Sequence, residues 1–295
     1  MTRHLYLLLC ALGFSALAHA QFYVELNAGY NFGTNGSTEF LEDYTETIFS
    51  NGFAFYSETS VEHVNLSMGK GVSFGGSAGY SFTDLIAAEL AFGYLHGLGT
   101  TGRYLFDSPS TIAGAPNGQK EDIKTTFTGR SVQIMPMVVL QLNTGKWVPY
   151  VKAGVHIAMH AVSMDTLDVF QQNILLSSNL YKLEIEQEFD PEWAVGYVVR
   201  GGVRYPLSNG FQLFAEVSVI GSTFTPNRSE VTKYVSNGTN YLPSRRTSWR
   251  EAEYVDVVQT SSGGQDPDKP TQHTRIALPF NSVGIQVGGR YTFGQ

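Results

Sequence analysis

Residues 22–32 read FYVELNAGYNF, and the strict alternation of this stretch decides the fold class. Every second side chain is apolar, and these side chains are Phe22, Val24, Leu26, Ala28, Tyr30 and Phe32. Most of the side chains between them are small or polar. Because successive side chains of a β-strand point to opposite faces of a sheet, the stretch predicts a strand with one large apolar face.

The same alternation recurs in seven later segments. They span 72–82, 86–94, 132–142, 151–159, 195–205, 211–219 and 283–293. Segments of about ten residues with this pattern are typical of strands that cross a membrane. Pro136 lies in the fourth of the eight segments and lacks the backbone N–H that a sheet ladder uses, which predicts a β-bulge there.

The connections between the eight segments alternate between long and short. The long connections span 33–68, 96–125, 162–190 and 220–275, and tight turns are predicted at 83–84, 144–145 and 207–209. A membrane barrel keeps its short turns at one end and its long loops at the other. A soluble β-sandwich has no reason to do so, and the order of connections therefore favours a barrel.

The turn positions predict which residues face one another. A turn centred on Ser208 places Tyr205 opposite Phe211 and Arg200 opposite Glu216, and the turn at 144–145 places Val138 opposite Val151. Aromatic side chains near the strand ends predict two girdles at the membrane surfaces. The short-turn girdle comprises Phe82, Trp147, Tyr205, Phe211, Tyr291 and Phe293, and the long-loop girdle comprises Tyr30, Phe32, Phe92, Tyr94 and Trp193.

The composition agrees with a membrane barrel. Charged residues make up 15% of the chain, against about 25% in typical soluble domains. No stretch after Ala20 approaches the roughly 20 apolar residues of a membrane-spanning helix. Because lipid offers no partner to backbone N–H and C=O groups, the remaining solution is a closed barrel. The prediction is an all-β, closed antiparallel transmembrane barrel of eight strands, with ten strands, through a hairpin from the last loop, as the alternative.

The first twenty residues predict a secretory signal peptide, so that the barrel occupies 21–295. Arg3 and His4 precede an apolar run over 5–17, and a small-x-small cleavage site follows at 18–20. Cys10, the only cysteine, lies in that run, so the exported chain forms no disulfide. The net charge of −7 argues against a nucleic-acid partner.

Three stretches carry a resemblance to a known family. They are 149–155 (PYVKAGV), 278–280 (LPF) and 287–293 (VGGRYTF). With them the chain resembles the eight-stranded outer-membrane β-barrel proteins, the OmpA, OmpX and OmpW-like group. The resemblance implies a bacterial outer-membrane location with both termini in the periplasm, contact with outer-membrane lipid, and insertion by the barrel assembly machinery. That machinery reads a C-terminal aromatic residue, whereas here Gly294 and Gln295 follow Phe293.

Seven charged residues are predicted to point into the barrel. They are Glu25, Glu89, Lys152, Arg200, Arg204, Glu216 and Arg290. Arg200–Glu216 and Glu25–Arg290 are the pairs within reach across neighbouring strands. An eight-stranded barrel is just wide enough to be filled by its own side chains, and buried charges need partners. The set is therefore interpreted as a salt-bridged plug, with a narrow polar conduit as the alternative.

Other polar residues give no pattern of a chemical site. His156 and His160 share a face of the fifth segment, but four residues along a strand span about 13 Å, too far for one metal ion. His96 and His273 lie near strand ends with no convergent carboxylate and nucleophile in the pattern. The sequence thus predicts no catalytic residue, no metal site and no cofactor.

The long loops hold the remaining candidates. Phe53, Phe55 and Tyr56 form an aromatic stretch that is a candidate contact patch, and alternation over 181–185 predicts strands that continue beyond the membrane as a raised rim. Large loops on a rigid scaffold commonly carry contacts with other molecules. The leading hypothesis is a non-enzymatic barrel that binds an extracellular ligand through its loops, in adhesion, envelope structure or partner binding. A narrow channel for ions or small hydrophobic solutes and a lipid-modifying enzyme are the alternatives.

Overall fold

The computed structural model describes residues 21–34, 44–50, 53–61, 66–108, 111–112, 115–116, 118–142, 144–174, 177–258 and 266–294. For 44–50, 53–61, 108, 111–112, 115–116, 174 and 177 the description covers the backbone alone. The signal peptide predicted over 1–20 lies outside the described residues.

Eight strands form the wall of the molecule. They are β1 (Gln21–Gly33), β2 (Gly71–Ser81), β3 (Ile86–Gly97), β4 (Gly118–Gln141), β5 (Val148–Ile174), β6 (Ser177–Ser208), β7 (Phe211–Gly221) and β8 (Ser282–Thr292). Each strand pairs antiparallel with the next, and β8 pairs with β1. The pairing closes on itself, which confirms the predicted antiparallel barrel. Strands of the last loop pair outside this ring of eight, so the ten-stranded alternative is wrong.

The alternation along the strands sets the two faces of the wall. Leu26 and Val195 are more than 70% exposed on the outside, whereas Glu25 and Arg204 are buried in the lumen. This arrangement suits a wall surrounded by lipid. Exposed aromatic residues mark both edges of the apolar belt: Phe82, Trp147, Phe211, Tyr291 and Phe293 at the short-turn end, and Phe32, Phe92, Tyr94 and Trp193 at the other.

The bulge predicted at Pro136 is wrong. Pro136 lies opposite Leu90 in an unbroken ladder between β3 and β4. On the other side, the β4–β5 pairing stops after Gly154↔Met137, skips two residues on each strand and resumes at Ile157↔Ile134 in the same register. The missing N–H of the proline therefore interrupts the ladder to β5 without inserting an extra residue.

The predicted register of the β6–β7 hairpin is wrong by two residues. Arg200 lies opposite Ser218, and Tyr205 lies opposite Leu213. The turn is formed by the Asn-Gly pair at 209–210, whose φ angles are 53° and 77°. Positive φ at both central residues is the requirement of a type I′ hairpin turn, and Asn-Gly is its preferred sequence. A turn centred on Ser208 ignores this preference.

The β4–β5 connection is longer than the predicted two-residue turn. Val138 lies opposite Ala153 rather than Val151, and the strands stop at 141 and restart at 148. The N–H of Leu142 donates to the carbonyl of Pro149 at 2.9 Å. Because proline has no N–H to return this bond, the regular ladder ends at this pair, and the chain reverses beyond it, where the Thr144 hydroxyl donates to the carbonyl of Trp147.

The barrel wall continues into a sheet beyond the apolar belt at the long-loop end. The β5–β6 ladder runs from Val148↔Arg204 to Ile174↔Ser177, with one register shift between His160 and Val162. About ten residues of a tilted strand cross a bilayer, so the outer parts of these strands lie beyond it. The predicted long connection over 162–190 is therefore wrong, and the predicted strand over 181–185 is confirmed.

Further strands widen this sheet on both sides. Thr100–Ser108 pairs with β4, Phe53–Val61 and Tyr44–Ser50 follow it, and on the other side Arg228–Ser236, Glu251–Val255 and Thr271–Thr274 extend from β6. We call these six strands and the outer parts of β4, β5 and β6 the rim sheet. A 3₁₀ turn (Leu242–Ser244), a one-turn helix (Thr247–Arg250) and five two-residue strands lie in the described parts of the loops. Four of these strands pair as two small ladders, Thr111–Ile112 with Ala115–Pro116 and Thr223–Phe224 with Leu278–Pro279, and the fifth, Thr239–Asn240, pairs with Arg228–Ser236. Within the described part, no helix has the length and apolar character to span a membrane.

Candidate functional site in the lumen and on the rim

Lys152 is the centre of a charge network in the barrel lumen. Its side chain is fully buried, and its Nζ lies 2.5 Å from Glu25, 2.9 Å from Glu89 and 3.7 Å from Glu216. The three carboxylates come from β1, β3 and β7, and the lysine comes from β5. One ammonium group thus links strands on different sides of the barrel, so the network closes the lumen at this level.

Three arginines surround the same carboxylates. Arg204 lies 3.3 Å and Arg290 lies 3.7 Å from Glu25, and Arg200 lies 3.0 Å from Glu216. We call these arginines, Lys152 and the three glutamates the lumen network. Four bases and three acids leave the formal charge of the set near balance, as a buried cluster requires.

The structure brings all seven predicted charges together, and both predicted pairs form ion pairs. The Arg200–Glu216 pair forms although Arg200 lies opposite Ser218. The two residues are diagonal neighbours on adjacent strands, a separation of about 7–8 Å that a long side chain can span.

Two tyrosines and a glutamine complete the network and were missed by the sequence reasoning. Tyr23 donates its hydroxyl to Glu89 at 3.0 Å, and Tyr150 donates to Glu216 at 2.9 Å. Arg204 donates to Gln141 at 2.7 Å. The one feature of the sequence that could have identified these three residues is their position on the inward face of their strands.

Each of the three aromatic rings at this level lies opposite a glycine of the neighbouring strand. The pairs are Tyr23↔Gly79, Tyr150↔Gly202 and Phe214↔Gly288. A side chain at any of these glycines would meet the ring it faces. The small lumen residues therefore make room for aromatic rings that fill the barrel.

An apolar cluster covers the lumen at the long-loop end. Its buried members are Leu66, Met68, Leu95, Phe127, Val162, Phe189, Phe224, Tyr254, Leu278 and Phe280. They come from the loop before β2, from the end of β3, from the middle of the long strands β4, β5 and β6, and from the last loop. We call this cluster the lumen cap, because it separates the lumen network from the rim.

His156 and His160 lie between the network and the cap. Their ring centroids are 6.0 Å apart, closer than the 13 Å predicted from strand rise, because the side chains lean toward each other. His160 stacks on Phe280 at 3.8 Å and shares a hydrogen bond with Ser222 at 2.9 Å. Neither ring nitrogen of His156 has a hydrogen-bond partner within the described part. No group of three or more His, Cys, Asp or Glu side chains there is placed to hold a metal ion.

A polar cavity opens below the network at the short-turn end. Its volume is about 150 Å³, and Arg204, Gln212 and Arg290 are among its lining residues. The cavity stops at the lumen network, whose members are all less than 5% exposed.

A second depression, of about 400 Å³, lies on the outward face of the rim sheet. Lys233 lies 2.7 Å from Glu186 and 3.1 Å from Glu184, and Lys182 lies 2.6 Å from Glu184. Hydrogen bonds from Lys182 and Lys233 lower the pKa of Glu184, and those to Glu186 and Glu184 raise the pKa of Lys233. Burial, and then the charge of Glu186, raise the pKa of Asp165. We call this depression the rim groove.

The candidate contact patch at Phe53, Phe55 and Tyr56 lies on the strand Phe53–Val61 of the rim sheet. The side chains of these three residues lie outside the description.

Comparison with known proteins gives a family and similar solved structures. A family model described as "Outer membrane protein beta-barrel domain" matches residues 5–241. The crystal structure of the outer membrane protein OprG from Pseudomonas aeruginosa aligns with a TM-score of 0.38 at 10% sequence identity, over 94% of this chain and 97% of that one. No curated protein matches the chain.

Proposed function

This chain belongs to the outer membrane β-barrel domain family, and on that premise we propose that it acts without catalysis, through its extracellular loops, in adhesion, envelope structure or partner binding. The proposal places the rim sheet outside the cell and both termini in the periplasm. Short periplasmic turns and long outer loops are the usual arrangement in such barrels.

The closed lumen is the observation that carries this proposal. Lys152 bridges three carboxylates across the barrel, and ten apolar side chains cover the level above. A lumen filled in this way supports a structural role for the barrel rather than a conducting one. The function is then to be sought in the part of the chain beyond the membrane.

The rim sheet is suited to contact with another molecule. Its central hairpin continues the barrel strands, with a single register shift between His160 and Val162, and stays paired as far as Ile174↔Ser177, so its faces are held in place by the ladder. The rim groove offers lysines and carboxylates side by side on an outward face. A rigid surface loses little conformational entropy when a partner binds.

The proposal is tested by shortening the central hairpin. Asn-Gly in place of 164–187 joins Ser163 to Glu188, which already pair, through a type I′ turn. The matched control replaces only the two residues between Ile174 and Ser177 with Asn-Gly. Both variants should keep the heat-modifiable mobility of a folded barrel, and only the shortened one should lose binding to host cells, to neighbouring envelope proteins or to both. A shortened barrel that keeps every wild-type phenotype contradicts the proposal.

The two alternatives have less support. The narrow channel rested on a polar lumen of small residues, but those residues accommodate the rings of Tyr23, Tyr150 and Phe214. A lipid-modifying enzyme would need a loop carboxylate beside His96 or His273, whereas the loop acids Asp107 and Asp256 form ion pairs with Lys120 and Arg275. Unaltered lipid A in an overexpressing strain is the expected result.

A further inference from the structure

Two outward-facing bases at the edge of the apolar belt have no carboxylate partner. Most other bases of the rim form ion pairs, such as Arg103 with Asp122 at 2.8 Å. Lys70 and Arg130 form none with any residue that the structure describes. An unpaired cation at the boundary between hydrocarbon and water is free to bind an anion from the membrane.

The strand register brings these two bases to one place. Val72 lies opposite His96, and His96 lies opposite Arg130. The N–H of Leu98 donates to the carbonyl of Lys70 at 3.1 Å, which fixes Lys70 beside the end of β3. Lys70 and Arg130 thus flank β3 from either side, and strand spacing and rise place their Cα atoms roughly 12 Å apart. Both side chains are long enough to converge over His96.

The surroundings of this patch suit a lipid. Phe74, Tyr94 and Val132 lie directly below it on the same face and are 54%, 41% and 47% exposed. Arg130 lies opposite Ala161, and the next carboxylate along that strand face is Asp165, four residues or about 13 Å further on. On the next strand, β6, the carboxylates of Glu188 and Asp190 are exposed, and no carboxylate of the described residues forms an ion pair with Lys70 or Arg130.

We propose that Lys70, His96 and Arg130 bind the phosphorylated headgroup of the outer-leaflet glycolipid, with its acyl chains against Phe74 and Tyr94. Arginine forms paired hydrogen bonds to phosphate oxygens, lysine adds a point charge, and the imidazole adds an N–H donor. Basic residues at a membrane surface select anionic lipids in the same way. The choice of the outer-leaflet lipid rests on the orientation in the proposed function, whereas phosphate recognition does not.

Native mass spectrometry of the refolded protein in detergent tests the proposal. Bisphosphorylated lipid A is added to the wild type, to the double variant Lys70→Gln/Arg130→Gln and to the control Lys146→Gln. Lys146 is a base near the opposite edge of the belt and lies over the Tyr205 ring. Removing two surface charges should lower lipid A retention roughly 30-fold, and the control should retain it as the wild type does. All three substituted residues lie outside the lumen, so each variant should still fold. Heat-modifiable mobility checks that it does.

Two further lipids identify the group that is bound. Dephosphorylated lipid A should be retained no better by the wild type than by the double variant. Phosphatidylglycerol should compete poorly, because it lacks the two-phosphate disaccharide. Equal retention of lipid A by wild type and double variant would overturn the phosphate site. So would retention of the dephosphorylated form by the wild type at the level of lipid A itself. Equal competition by phosphatidylglycerol would overturn the assignment to the glycolipid. Hairpin shortening leaves this patch intact, so the two proposals fail independently.

Discussion

Tyr23 lies directly opposite Gly79 across the β1–β2 ladder, and its ring occupies the space that a side chain at position 79 would need. The same ring carries the hydroxyl that donates to Glu89 and lies 3.5 Å from the guanidinium of Arg290. One glycine therefore permits both the filling of the lumen and part of its charge pairing.

We expect Gly79→Ala to destabilise the barrel. Overfilling a packed interior typically costs about 1–3 kcal/mol, and here the ring would also be displaced from Glu89. The control is Gly201→Ala, because a side chain at Gly201 meets nothing within 4 Å. Urea unfolding in lipid vesicles measures the two free energies. Equal effects of the two substitutions would show that the space opposite Tyr23 is not limiting.

Replacing Lys152 with methionine should be among the most destabilising changes in the chain. It leaves Glu25, Glu89 and Glu216 without their common cation, and removing one member of a buried ion network costs about 3–5 kcal/mol. Lys182→Met breaks the exposed pair with Glu184 and should cost about 0–1 kcal/mol. The free energy of unfolding is the measurement, and a Lys152→Met loss as small as that of the control would contradict the network.

The refolded protein should be silent in a planar bilayer. The lumen network and the lumen cap are two separate barriers, and Phe280 belongs to the second one. Phe280→Ala should open the cap, yet it should remain silent because Lys152 and its partners still close the lumen. Steady, salt-dependent openings of the wild type would instead support the channel alternative.

Acidification should stabilise the rim sheet around Asp168. Burial raises the pKa of this carboxyl above its ordinary value of 3.8, and its Oδ1 is buried without a hydrogen-bond partner in the described part. A raised pKa in the folded state means that folding favours the protonated form. Keeping this carboxyl ionised therefore costs the folded state free energy. The cost is fully present above the raised pKa and disappears as the pH falls to the ordinary pKa of 3.8.

Asp168→Asn should remove this pH dependence. Hydrogen exchange of the amides over 166–172, corrected for intrinsic rates, measures local protection across that pH range. Asp268→Asn, at an exposed position of the last loop, serves as the control and should leave the wild-type profile unchanged. If Asp168→Asn kept the wild-type dependence of amide protection on pH, the effect would belong to another titrating group.

The pattern of residues 22–32 and its repeats was sufficient to predict the eight-stranded barrel, because strand alternation is a local property of the backbone. The same parity placed all seven charges of the lumen network on the inward face. This alternation did not give the register of the hairpins. Asn209-Gly210 sets the β6–β7 turn because both residues take positive φ angles. Pro149 ends the β4–β5 ladder because it lacks an N–H.

The tertiary structure alone decided the rest. Alternation says that Tyr23 and Tyr150 face inward, but barrel closure brings them to Glu89 and Glu216, each 66 residues away along the chain. The rim sheet likewise depends on how far β4, β5 and β6 stay paired beyond the membrane. No local sequence pattern determines that length. Lys70 and Arg130 are 60 residues apart in sequence and lie on one patch only because both flank the end of β3. Local sequence fixes which face a side chain takes, whereas contacts across the ring depend on how the strands close.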